Sequence, residues 1–134
     1  GVSIVATCGD KLLLLHEFRM GINQTIYNLC AGMIEQDESV EDCISRELYE
    51  ETGLTVKNIN KILPPSYAAV AISDTTTYIA FVEVNEAFED HSSDNEQIEA
   101  GFYTRNEVKK LLETEPFSSR AQLAAYFFAE QIRL

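Results

Sequence analysis

The sequence lacks tryptophan and is poor in positive charge, proline and glycine. Lys and Arg number 10 against 22 Asp and Glu, which gives a net charge of -12. Nucleic-acid backbones and anionic membranes are bound by basic side chains that replace counterions, so we expect neither partner. No apolar run approaches the roughly 20 residues of a membrane span, and no signal peptide is visible. The acidic excess therefore indicates either a solubilising surface or a site for divalent cations.

Cysteine is also scarce, and its pattern excludes a cysteine-based metal site. Cys8, Cys30 and Cys43 are an odd number without metal-type spacing, and each lies among apolar residues. This pattern is typical of buried, reduced thiols, so we expect a cytoplasmic protein. With 46% apolar and 24% charged residues, the 134 residues suffice for a single domain spanning 1–134. The chain begins with Gly and enters an apolar segment directly, so we expect a missing or trimmed N-terminus.

The order of predicted elements favours an α/β sandwich with a mixed sheet. Ser39 and Asp42 form a helix-start signal and Gly53 a stop signal, which predicts a helix over residues 40–52. Thr104 and Glu107 mark a second helix. A third begins at about Ser119, with its core side at Ala124, Phe127, Phe128 and Ile132. The predicted strands are VSIVATCG, DKLLLLHEF, TIYNLC, LTVKNINKIL, a hairpin of YAAVAIS with TTYIAFVEV, and IEAGFYT.

Three carboxylates cluster in the last two turns of the first helix. Glu47, Glu50 and Glu51 fall within about 100° of one face, where the helix dipole is negative and like charges repel. Arg46 can reach Glu50, which is expected to leave Glu47 and Glu51 unpaired. A solvated acidic face is the alternative interpretation. Because Ala31-Gly32 just before the helix can offer a backbone carbonyl, the segment also fits a hard-oxygen site for Mg2+ or Mn2+.

The same segment resembles the signature of the Nudix hydrolase family. Gly32 is followed after five residues by Glu38 and after seven more by Arg46-Glu47, and the segment ends in Leu48-Tyr49-Glu50-Glu51-Thr52-Gly53-Leu54. Every fixed position of the signature is met. The resemblance implies a Nudix-type α/β/α sandwich with a mixed sheet. It also implies metal-dependent hydrolysis of a nucleoside diphosphate linked to another group.

The resemblance implies roles for the residues of the signature. Glu47 and Glu51 are the expected catalytic metal ligands, Glu50 a ligand or immediate neighbour, and the carbonyl of Ala31 completes a site for Mg2+ or Mn2+. Arg46, Glu38 and Gly32 are expected to be structural, with Arg46 orienting the carboxylates and Glu38 bracing the loop. Asp37 occupies a position where Gly is frequent, and Asp tolerates left-handed backbone geometry.

The flanking segment LLLLHEFRMGINQTIYNLCAGMIEQDES is similar to the ADP-ribose pyrophosphatase branch of the family. The similarity implies ADP-ribose as the nucleotide-sugar substrate, with AMP and ribose 5-phosphate as products. Arg19 would grip the diphosphate, or else form a surface salt bridge with Glu17 or another acid. Glu35 would lie near the substrate. Glu96, or next Glu89, would position or deprotonate the attacking water from a loop, or else belong to a solvated acidic stretch.

Two departures from the branch leave other functions open. The branch usually carries extra N-terminal residues that build a homodimer, and these are either absent here or not included in the sequence. Residues 71–75 read AISDT where GLSDE is frequent. The alternatives are a Nudix enzyme for another nucleotide sugar or a nucleoside triphosphate, and a catalytically silent nucleotide-binding module. Without tryptophan, base stacking would fall to Tyr or Phe.

Overall fold

A mixed sheet runs through the middle of the molecule in the computed structural model, which describes residues 1–86 and 98–131. In this part of the chain the strand order is β3-β2-β1-β7-β5, with β4 on β1, β6 on β7 and β8 on β2. β1 and β7 are parallel, and the other pairs are antiparallel. The strands are β1 (Val2–Cys8), β2 (Lys11–Arg19), β3 (Gln24–Asn28), β4 (Cys30–Gly32), β5 (Val56–Ile62), β6 (Ser66–Tyr67), β7 (Thr76–Val84) and β8 (Ile98–Tyr103).

Helices cover both faces of the sheet: α1 (Val40–Thr52), α2 (Arg105–Thr114) and α3 (Ser119–Glu130). The Ser39 side chain accepts a hydrogen bond from the Asp42 N–H, and Gly53 ends α1 in the left-handed region at φ 75°. Thr104 and Glu107 form a reciprocal capping box at the start of α2. These local signals satisfy backbone groups that the helix itself cannot pair, and the predicted boundaries of α1 are confirmed.

Two hydrophobic cores result from the alternation of side chains along β2. Leu13 and Leu15 point towards α1, where Ile44 and Leu48 are fully buried. Leu12 and Leu14 point the other way, into a second core that includes Val108 of α2 and Ala121, Ala125 and Ala129 of α3. Each fully buried aliphatic side chain contributes about 1.5–3 kcal/mol through the hydrophobic effect. The predicted α/β/α sandwich with a mixed sheet is therefore confirmed.

Two local predictions are wrong, and a third is confirmed in part. Residues 68–75 form turns rather than a strand, and Val70 and Ile72 are 77% and 87% exposed. TIYNLC is divided between β3 and β4 at Leu29. The fully buried residues of α3 are Ala121, Ala125 and Ala129, whose small side chains allow the helix to lie close to the sheet. Of the predicted core residues, Ala124 and Phe128 are partly buried against this core. Ile132, expected on the same face, lies outside the described residues.

Candidate metal and phosphate site

The end of β4 and the last turns of α1 meet at Gly32 and Glu47. The Glu47 side chain is only 12% exposed, and its carboxylate lies directly against Gly32. A Cβ atom on residue 32 would overlap the carboxylate carbon and both carboxylate oxygens of Glu47. Glycine is therefore required here by close approach, and the contact fixes the Glu47 carboxylate beside the β4 backbone.

The loop between β4 and α1 is tied to the helix by Arg46 and Glu38. Arg46 Nε lies 2.7 Å from Glu38 Oε2 and its Nη2 lies 2.9 Å from Glu38 Oε1, a two-pronged contact. Arg46 Nη2 also donates to the carbonyl of Met33 at 2.9 Å, and the Glu35 N–H donates to Glu38 Oε1 at 3.0 Å. The hydrogen bonds from Arg46 lower the pKa of Glu38 to about 2. Asp37 lies in the left-handed region at φ 63°, the geometry for which Asp is tolerated.

Arg46 also contacts the acidic face of α1, which corrects one expectation. Its Nη1 lies 2.9 Å from Glu47 Oε1 and 3.2 Å from Glu50 Oε2. The prediction that Glu47 stays unpaired is wrong, because the guanidinium group lies between the loop and the helix and reaches several carboxylates. Glu35 Oε1 is 3.6 Å from the same nitrogen, with its side chain 67% exposed. Glu50 is more exposed than Glu47, at 58% against 12%.

Glu51 is a partly buried carboxylate of this helix. Burial raises its pKa to about 7, and the charges of Glu47 and Glu17 act in the same direction. Hydrogen bonds from the Cys30 thiol and the Ala31 N–H offset part of this rise. Burial, followed by the charge of Glu51, raises the pKa of Cys30 well above its usual range. A carboxylate that is buried beside two others favours a proton or a metal cation as its neighbour.

Glu17 lies near Glu51, and the sequence did not predict it as a site residue. It lies on β2 with 8% exposure, and Asn28 Nδ2 donates to its Oε1 at 2.8 Å. The signal was present in the period of two along β2, which places Glu17 on the same face as Leu13 and Leu15. A charged residue at an inward position of a strand is rare enough to indicate a site.

The other predicted residues are placed as follows. Arg19 Nη1 lies 3.5 Å from Glu17 Oε1, and the Arg19 side chain is 60% exposed. Arg19 thus forms the ion pair with Glu17, one of the two roles predicted for it. Only the Nη1 atom of the guanidinium group takes part. Glu96 and Glu89 lie outside the described residues.

The donor set suits a hard divalent cation bound jointly with a substrate. In the described ranges 1–86 and 98–131, no group of three or more His, Cys, Asp or Glu side chains is arranged to hold a metal ion. Mg2+ is commonly bound through one or two carboxylates, with waters and substrate phosphates completing its shell. Glu47, held against Gly32, and the neighbouring Glu51 supply such carboxylates, so the residues fit the ion. No helix among these residues has the length and apolarity needed to cross a membrane.

The molecule is an α/β domain with a mixed sheet between helices. The contact between Gly32 and Glu47, and the loop that Arg46 holds, keep the carboxylates of α1 together. The profile of the NUDIX domain family matches residues 1–126, and the chain belongs to this family. The "Crystal structure of ADP compounds hydrolase" superposes with a TM-score of 0.76 and 21% identity, covering 97% of this chain and 70% of that one. This likeness supports the fold.

Sequence relatives carry two kinds of names. "ADP-ribose pyrophosphatase" of Bacillus subtilis (strain 168) is 28% identical over 116 residues, which cover 84% of this chain and 62% of that protein. "NAD-capped RNA hydrolase NudC" of Mycobacterium tuberculosis (strain ATCC 25618 / H37Rv) is 31% identical over 100 residues, or 74% of this chain. The same name is given to a Vibrio parahaemolyticus protein that is 53% identical over 56 residues. The matched segments span only 31% and 21% of these two proteins.

Proposed function

We propose that this chain is a Nudix pyrophosphohydrolase that cleaves the diphosphate of a nucleotide sugar, with ADP-ribose giving AMP and ribose 5-phosphate. The observation that carries the proposal is the pair Glu47 and Glu51, held beside Gly32 and Ala31 at the β4–α1 junction. The Bacillus relative that matches 84% of this chain is named an ADP-ribose pyrophosphatase, which supports this substrate.

The residues divide into ligands and supports. Glu47 and Glu51, with the carbonyl of Ala31, would hold Mg2+ or Mn2+, and Glu50 would act as a ligand or close neighbour. A bound divalent cation supplies an activated water and neutralises charge on the phosphates. Arg46 and Glu38 keep the loop and the Glu47 carboxylate in place through the hydrogen bonds described above.

Substrate contacts are proposed on the side of β2 and the loop. Arg19 has the planar donor geometry that matches phosphate oxygens, and most of its side chain is open to solvent. Glu35 is exposed at the loop and would lie near the substrate. We keep Glu96 as the proposed group that positions or deprotonates the attacking water, with Glu89 next.

A second candidate substrate is a dinucleotide of the NAD type. The Vibrio relative, which is named an NAD-capped RNA hydrolase, is 53% identical over its matched 56 residues. Cleavage of such a dinucleotide breaks the same kind of diphosphate bond. The net charge of -12 disfavours binding of a long RNA chain, so a free dinucleotide fits this chain better than a capped RNA.

One panel of reactions tests the proposal. The purified chain is incubated with ADP-ribose, UDP-glucose, NADH, NAD-capped RNA and dNTPs, with Mg2+, Mn2+ or EDTA, and products are separated by chromatography. We expect metal-dependent release of AMP from ADP-ribose at the highest kcat/KM. A higher kcat/KM for NADH would favour the second candidate. Turnover of none of the compounds, together with nucleotide binding, would instead support a silent binding module.

We further propose a cytoplasmic homodimer. The three cysteines are unpaired, which fits a reducing compartment. Tyr67, Val70 and Ile72 are 65–87% exposed on and after β6, and such apolar clusters mark interaction surfaces. Light scattering should give twice the chain mass, and Ile72→Lys should shift the mass towards the monomer. A monomeric parent chain would contradict the dimer.

A further inference from the structure

We propose that Glu17 positions the guanidinium group of Arg19 for the diphosphate of the substrate, a role that rests on the function proposed above. Glu17 and Arg19 are two residues apart on β2, so their side chains leave the same face of the sheet. This is the face that α1 covers, and it carries Leu13 and Leu15 into the core next to α1. Both residues therefore lie on the side of the sheet that also carries the Nudix carboxylates.

Glu17 is a fixed anchor. Its side chain is 10% exposed, and Asn28 Nδ2 donates to its Oε1 at 2.8 Å. Asn28 is fixed in turn, because its Oδ1 accepts from the Leu29 N–H at 2.9 Å and from the Ser118 hydroxyl at 2.6 Å. The Glu17 carboxylate on β2 is thus held by Asn28 at the end of β3, and Asn28 is held in turn by Ser118 at the start of α3. A group held in this way can orient a neighbour without moving itself.

Arg19 has a long side chain that is held by a single contact. Only Nη1 approaches Glu17 Oε1, at 3.5 Å, which is the long limit of a hydrogen bond. In the part of the chain that the structure describes, no other hydrogen bond or ion pair of the Arg19 side chain is present. The remaining donors are available for a ligand. Because ordering a free arginine opposes binding, a carboxylate that restricts it in advance favours capture of phosphate.

The anchor lies beside the carboxylates that the proposed reaction uses. Glu17 is near enough to Glu51 and Cys30 for its charge to raise the pKa of both groups. Arg19 is therefore tethered at the border of this acidic group, where a diphosphate shared with a cation would need a second positive charge. Arg19 supplies that charge from the same strand as Glu17, so no additional loop is needed.

The opposite interpretation is that Glu17 competes with phosphate for Arg19. The two interpretations differ in the sign of the coupling between the residues, so a double-mutant cycle separates them. The four proteins are the parent, Glu17→Gln, Arg19→Ala and the double variant. Gln retains the size of Glu and can still accept from Asn28, but it lacks the charge that holds Arg19. The cycle also cancels the general gain in anion binding that follows from removing any negative charge.

Two readouts are measured on each protein. One is the Kd for ADP-ribose in EDTA by calorimetry, and the other is the KM and kcat with Mg2+. In the parent background, Arg19→Ala should weaken ADP-ribose binding about tenfold, the size of one charge-assisted phosphate contact. In the Glu17→Gln background, the same change should cost only about threefold or less, since couplings between contacting residues have this size. The effect of Glu17→Gln on Arg19 should appear in the Kd and the KM for ADP-ribose, because the role of Glu17 is in binding.

Glu83→Gln is the matched control. Glu83 lies on β7, two strands away from β2, and its loss changes net charge by the same amount. In this background the tenfold cost of Arg19→Ala should persist. Melting temperatures confirm that each variant is folded, and Glu17→Asp replaces Glu17→Gln if the latter unfolds, with an intermediate coupling expected.

The outcomes are distinct. An equal or larger cost of Arg19→Ala in the Glu17→Gln background would overturn the positioning role. If the parent chain turned over no substrate and bound no ADP-ribose, the proposed function would fail and this role with it. Binding and turnover by the parent, without coupling, would refute the role of Glu17 alone.

Discussion

Replacement of Gly32 by alanine is the most direct test of the site geometry. The added Cβ would lie under 3.0 Å from the carboxylate carbon and oxygens of Glu47, whereas ordinary contacts of a Cβ are 3.4–4 Å. Glu47 has little room to withdraw, since its side chain is 12% exposed and its Oε1 is bonded to Arg46 at 2.9 Å. Either the carboxylate or the β4 backbone must therefore shift by about 1 Å or more to restore an ordinary contact.

The size of the effect follows from this displacement. A misplacement of about 1 Å in a catalytic group costs about 100-fold in rate, so we expect kcat/KM for ADP-ribose to fall by about 10-fold to 100-fold. Overpacking of this kind costs about 1–3 kcal/mol of unfolding free energy. For a chain of this size that corresponds to a fall in Tm of several degrees, at about 4 °C per kcal/mol.

The assay compares Gly32→Ala with Gly21→Ala. A Cβ on residue 21 meets no atom within 4 Å, so this control should keep the parent activity and a stability within about 0.5 kcal/mol. Activity is followed as release of AMP, and Tm by differential scanning calorimetry without metal. Parent-like kcat/KM and Tm in Gly32→Ala would refute the close contact between residue 32 and Glu47.

Three further predictions concern the carboxylates. Glu51→Gln should lower turnover by about 100-fold or more while leaving the metal-free Tm unchanged or higher, because a buried charge beside Glu47 is removed; full activity would exclude Glu51 as a ligand. Mg2+ at 100 times its Kd should stabilise the parent by about 2.7 kcal/mol, and a Tm that ignores millimolar Mg2+ would contradict a metal site here. Glu38→Gln should destabilise the chain at pH 7 in urea unfolding. Because the folded pKa of Glu38 is about 2 against an ordinary 4.5, its contribution is present above pH 4.5 and lost as pH falls through about 2; a difference from the parent that is independent of pH would contradict the ion pair.

The helices were predictable because their ends are decided locally. Ser39 and Thr104 satisfy the free N–H groups of the first turn with their own side chains, and Gly53 adopts the left-handed conformation at the end of α1. These interactions involve residues within four positions of each other, so the sequence contains them completely. The Nudix loop was predictable for the same reason, since Gly32, Glu38 and Arg46 lie within one short segment.

The errors concern contacts between distant segments. The apolar residues of YAAVAIS indicated a strand, yet pairing is confined to Ser66–Tyr67, and the rest of the segment turns with Val70 and Ile72 exposed. Glu17 was missed because its neighbours Asn28 and Glu51 approach it only through the sheet. The side of α3 that meets the sheet depends on packing distance, which the apolar pattern alone does not contain.

The balance of charge around Arg46 bears on the divalent cation that we propose for this site. Arg46 is the one basic residue between positions 31 and 54, and its guanidinium group already serves Glu38 through two nitrogens. The remaining nitrogen, Nη1, lies near Glu47, Glu50 and Glu35. Glu51 receives hydrogen bonds from Cys30 and Ala31 but faces two negative neighbours, which is why its pKa rises rather than falls. The positive charge of Arg46 is thus taken up by the loop, Glu47 and Glu50, and within residues 1–86 and 98–131 no ion pair reaches Glu51. A fold that only needed stability would gain from neutral side chains here, so the retained charge is best explained by a ligand that is itself positive.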